Sequence, residues 1–117
     1  MSLIAIVLIA LVALLHGYFL VLEMFLWTKP LGMKTFRNTA EKAEITKVLA
    51  ANQGLYNGFL AAGLVWAIVA HKSDVALFFL GCVIVAALYG AYSVSKRIFY
   101  VQGVPAIAAV AAVLLLK

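Results

Sequence analysis

The stretch LIAIVLIALVALLHGYFLVLEMFLW, residues 3–27, holds only His16 and Glu23 as side chains able to carry charge near neutral pH. At about 1.5 Å rise per residue, a helix of that length crosses a hydrocarbon core of about 30 Å. The residues before it include no basic cluster, and the apolar run outlasts the core of a signal peptide, so a retained first membrane helix is expected. Thr28, Lys29, Pro30 and Gly32 should end it.

Three further apolar stretches follow. Asn38 with Glu41 three positions later resembles a helix N-cap with its reciprocal acid, which starts the second helix near Thr39. That helix should run over 39–70 and cross the bilayer from about Val48. A tight turn at His71-Lys72-Ser73-Asp74 leads into a third helix over 75–95, and a fourth covers 98–116 with Gly103 and Pro105 in its first third. Proline there removes one helical hydrogen bond, a weakness that membrane helices tolerate when neighbours satisfy the freed carbonyl. The expected architecture is all-α, a four-transmembrane-helix bundle forming a single integral membrane domain over 1–117.

Composition agrees. A chain of 117 residues that is 68% hydrophobic and 11% charged falls far below the roughly 25% charge of soluble domains. The net charge of +5 is no nucleic-acid signal, because the basic residues border the apolar stretches and form no stripe with interleaved aromatics. They read instead as topology markers and anionic-lipid contacts. Lys29, Lys34, Arg37, Lys42 and Lys47 fall in the first loop and Lys96 and Arg97 in the third, against Lys72 and Lys117 on the other side. The positive-inside rule then puts loops one and three in the cytoplasm and both termini outside, in a bacterial inner membrane. Cys82, the single cysteine, lies mid-stretch as a packing residue and permits no internal disulfide.

On this topology the polar side chains gather in the cytoplasmic half. His16, Leu20, Glu23 and Trp27 follow i, i+4, i+7 and i+11, one narrow stripe on the first helix. His16 and Glu23 are separated by about 10 Å along the axis, so a water, a ligand or another helix must join them. On the second helix Asn52, Gln53, Tyr56 and Asn57 share a broad face expected to look inward, with Gly54 and Gly58 on another face for close helix approach. Tyr89, Tyr92 and Ser93 on the third helix and Gln102 on the fourth fall at the same depth.

Each position has a plainer reading: amides as interhelical glue, tyrosines and tryptophans as belt or packing residues, Glu23 paired to a loop cation, His16 satisfied in a core. Intramembrane acids nonetheless usually mark ion paths, relays or ligand sites. The ligand-binding or proton-responsive set is therefore His16, Glu23, Asn52, Gln53, Asn57 and Gln102, supported by Trp27, Tyr56, Tyr89, Tyr92 and Ser93.

The strings Leu22-Glu23-Met24-Phe25-Leu26-Trp27 and Lys47-Val48-Leu49-Ala50-Ala51-Asn52-Gln53-Gly54-Leu55-Tyr56-Asn57-Gly58 resemble those of a family of small bacterial integral membrane proteins known as domain of unknown function 1304. Phe79-Leu80-Gly81-Cys82-Val83-Ile84-Val85 and Val101-Gln102-Gly103-Val104-Pro105 fit the same resemblance, which spans nearly the whole chain. It implies a four-helix bacterial membrane protein and no particular chemistry.

Three functions compete on these residues. The first is a protein that binds or transports a small molecule in a polar intramembrane pocket, with proton coupling suited to a histidine titrating near neutral pH. The second is an intramembrane acid/base enzyme on a lipid-like or isoprenoid substrate, which the axial gap between His16 and Glu23 restricts to a long substrate. The third is a structural or regulatory membrane subunit. Length and an acid on the first helix also resemble small multidrug exporters, but Glu23 is displaced from the midplane and the Lys/Arg imbalance opposes dual insertion. No His-Glu-x-x-His, phosphate-cradling loop, Cys pair or Gly-x-Ser-x-Gly elbow occurs, so no metal or cofactor is expected and the matching hydrolase and redox classes drop out. Expected partners are membrane lipids, a small hydrophobic or amphipathic ligand and, in an assembled form, further copies of the chain as a homo-oligomer.

Overall fold

A computed structural model describes residues 1–116, and their secondary structure is entirely helical. Lys117, one of the two cations expected on the outer side, lies outside the described residues. Five helices are present among them: α1 Leu3–Met24, α2 Pro30–Phe36, α3 Ala40–Val69, α4 Ser73–Ser93 and α5 Lys96–Leu115.

Three of these, α1, α4 and α5, are long and apolar enough to cross a membrane. That differs from the expected four. At 30 residues α3 is the longest helix, but Glu41, Lys42, Glu44 and Lys47 in its first turns and the run Asn52, Gln53, Tyr56 and Asn57 dilute its apolar character.

The connections have physical causes. Lys29 is extended (φ −93°, ψ 162°), the conformation that a following proline imposes on its neighbour, and Pro30 restarts the chain as the first residue of α2. Helix α1 therefore stops three residues short of Trp27. Arg37 closes α2 in the left-handed region (φ 55°, ψ 41°), and the Asn38 N–H reaches Met33 O at 2.9 Å, the bonding of a Schellman cap. His71 (φ 54°) ends α3 in the same way, with Lys72 N–H on Ala67 O at 2.9 Å.

The cap of α3 lies one residue past the expected one. Thr39 Oγ1 accepts from Lys42 N–H at 3.2 Å, so the residue facing the cap is Lys42, and the reciprocal acid supposed for Asn38 and Glu41 is absent. The expected weakness at Pro105 appears as a π-helical turn over Phe99–Gly103, in which Val104 N–H bonds Phe99 O five residues back.

Contacts group the chain into two compact units. Among the described residues the first comprises 1–15 and 60–116, the second 16–59. In the first, Ala5, Ile9, Val12 and Ala13 recur at helical spacing on α1 and are buried with Leu64, Ala67, Ala76, Leu80, Val83, Ala106, Ala109 and Val113. So many alanines let backbones approach closely, where packing drives helix association in lipid. In the second unit α1 and α3 cross at Gly54 and Gly58. A Cβ at Gly54 would stand 2.7 Å from Met24 Cγ and 3.1 Å from Glu23 Cβ, and one at Gly58 would stand 2.6 Å from Leu20 Cδ1.

Candidate functional site

The second unit carries the site. Its glycine face packs directly on the part of α1 that bears Glu23, so the acid comes against α3 through the same close approach that glycine permits. Asn57, next to Gly58, donates its Nδ2–H to Glu23 Oε1 at 2.5 Å. Among the described residues Asn57 is the hydrogen-bond partner of this half-buried carboxylate, and the one ion pair among them joins Lys47 Nζ and Glu44 Oε1 at 2.5 Å.

Beside Glu23 opens a cleft of about 420 Å³. Glu23, Asn52, Lys47 and Thr28 bring polar atoms to it, and Met24, Phe25, Trp27, Val48, Ala51 and Leu55 supply apolar wall. Trp27 is held on two sides. Its Nε1–H donates to Thr46 Oγ1 at 3.0 Å, and its ring stands 4.9 Å from that of Phe36 on α2. Thr46 in turn donates to Lys42 O at 2.7 Å, so both groups of this pair are spoken for. Asn52 donates its amide N–H to Val48 O at 2.9 Å.

The residues proposed from sequence divide accordingly. Glu23, Asn52 and Trp27 line the cleft and Asn57 holds Glu23. His16 is buried, 1% exposed, with its ring edge-on to Phe19 at 5.4 Å, and is not part of the cleft wall. Gln53 and Tyr56 are exposed on α3, so of the broad face expected there Asn52 and Asn57 are the residues at the site, because α3 turns its glycines toward α1. Tyr89, Tyr92 and Ser93 are exposed on α4, and Ser93 returns its hydroxyl to Tyr89 O at 2.7 Å. Gln102 is half-buried in the π turn; all four belong to the first unit.

Sequence reasoning passed over Lys47, Thr28 and Thr46. Lys47 was counted as a headgroup cation, yet α3 stands on the helical face that brings Lys47, Ala51 and Leu55 together at i, i+4 and i+8, and that spacing was readable. Thr28 and Thr46 depend on the fold of the α1–α2 connection and carry no such signal.

The chain is 34% identical over 107 residues to an uncharacterized protein, YpaA, of Lactococcus lactis subsp. lactis (strain IL1403), an alignment covering 88% of this chain and 90% of that protein. No solved structure matches. The family described as protein of unknown function (DUF1304) matches residues 10–114, nearly the whole chain, and the protein belongs to that family.

Proposed function

We propose that this is a small membrane protein that binds or transports a small molecule at the cleft beside Glu23. The observation that carries the reading is a half-buried carboxylate, held by one amide and paired with no protein cation among the described residues, at the edge of an otherwise largely apolar cleft. A buried acid costs free energy unless it is compensated, and such groups in membrane segments generally serve ions, protons or ligands. The cleft's size falls in the range of about 300–1,000 Å³ common to small-molecule sites.

In this reading α3 also crosses the bilayer. Its 30 residues span about 45 Å, and the amides of Asn52 and Asn57 are already bonded to Val48 O and Glu23, which lowers their cost in hydrocarbon. Four crossings then put both termini on the outer side and the cleft in the cytoplasmic half. An acid/base role for Glu23 with His16 gains no support, since His16 is not on the cleft wall.

Filling the space tests the reading. Ala51→Phe places a ring in the cleft and leaves Glu23 itself unaltered. Native mass spectrometry of protein released from bacterial membranes should show a small-molecule adduct on the parent chain that this variant lacks. An adduct retained equally by both proteins would remove the cleft from consideration.

A further inference from the structure

We propose that the cleft selects an amphipathic cation, a small molecule with one positively charged nitrogen and a short apolar tail; this rests on the reading of the cleft as a ligand site. Three charged side chains stand at or beside it: Glu23, Lys47 and Glu44, the last bound to Lys47. With Lys47 neutralised by Glu44, the group sums to one negative charge when Glu23 is ionised. A cation seated there recovers the attraction that no protein group supplies, and half-burial makes that attraction stronger than at an open surface.

The walls fit the rest of such a molecule. Met24, Phe25, Val48 and Leu55 offer apolar surface, and the Trp27 ring adds attraction for a cation. Trp27 is fixed in advance by Thr46 and Phe36, so little ordering remains to be done when a ligand enters. An anion would meet Glu23 unscreened, and the cation on the cleft wall, Lys47, already shares its charge with Glu44. A neutral alcohol would gain the walls and leave the carboxylate as it was.

Trp27 is also the reporter. In a Trp66→Phe background, reconstituted in phosphatidylcholine nanodiscs at about pH 8, its fluorescence is followed while hexyltrimethylammonium, 1-hexanol or hexyl sulfate is added, with empty discs as blanks. The expected result is saturation by hexyltrimethylammonium at a concentration about tenfold or more below that needed for hexanol, the scale of one charge-assisted contact, with hexyl sulfate weakest. Glu23→Gln, which keeps an oxygen for Asn57, should bring the cation down to the level of the alcohol, and Glu23→Asp should retain the preference. Equal affinity for cation and alcohol, or tighter binding of the sulfate, overturns the cation assignment and leaves the cleft as a small-molecule site. The comparison among ligands stands on the parent chain even where a variant folds poorly. No saturable change with any of the three overturns both the assignment and the ligand-site reading.

Discussion

Removing the Asn57 amide strands the carboxylate it serves. Asn57→Leu should cost about 1–3 kcal/mol, because the oxygen of Glu23 loses its partner in a half-buried position. Glu23→Gln removes the charge instead and should be neutral or stabilising, since the desolvation cost disappears with it. In the double variant the penalty of Asn57→Leu should shrink, and unfolding in mixed micelles of the four proteins measures that coupling directly. Independent, additive losses would mean that the two side chains do not act as a pair. Trp27→Phe is a milder case. It gives up the bond to Thr46 at about 0.5–1.5 kcal/mol and keeps most of the ring packing on Phe36.

At the scale of elements, glycine tolerance separates backbone contacts from side-chain contacts. A Cβ at Gly32 would stand 1.9 Å from the Leu26 carbonyl oxygen, an overlap that only backbone movement relieves, whereas at Gly58 the near atom is the flexible tip of Leu20. Gly32→Ala should therefore destabilise by about 1–3 kcal/mol or more, and Gly58→Ala by distinctly less, as thermal unfolding of the two variants would show. The opposite change suits the two caps. Arg37 and His71 hold left-handed conformations that favour glycine, and glycine at either should stabilise by up to about 1 kcal/mol. These details explain what the sequence could and could not tell. The helices from Leu3 and near Thr39 were legible because apolar runs and turn residues act locally, and the third helix, expected over 75–95, runs over Ser73–Ser93 because Ser73 and Asp74 form its first turn instead of the connection. The π turn was only half legible, since Pro105 announces a missing bond but not which carbonyl compensates. The pairing of Glu23 with Asn57 lay hidden because it depends on which face of α3 meets α1, and the glycines decided that against the amides. Lys47 was legible in principle by its spacing to Ala51 and Leu55, and was obscured by its place among the loop cations.

For the whole molecule, orientation decides which side of a membrane the cleft would face. Seven of the nine Lys and Arg residues fall before Val48 or just after Ser95, and from such an imbalance the positive-inside rule predicts that those connections face the cytoplasm. Two lines meet at α3. Its polar run leaves it outside the three helices that are apolar enough to cross by composition, yet two of its three side-chain amides, Asn52 and Asn57, are bonded within the second unit. If α3 crosses, the α2 connection and the turn at His71 lie on opposite sides of the membrane; if it lies along the surface, they share a side. Single cysteines at Lys34, Ser73 and Lys96, in a Cys82→Ala background, distinguish these arrangements. In intact cells an impermeant thiol reagent should react at position 73 and be blocked at 34 and 96, and permeabilisation should open the latter two. Labelling at 34 and 73 alike would lay α3 on the outer surface, and labelling at 34 and 96 with 73 blocked would invert the protein and turn the Glu23 cleft toward the outer leaflet.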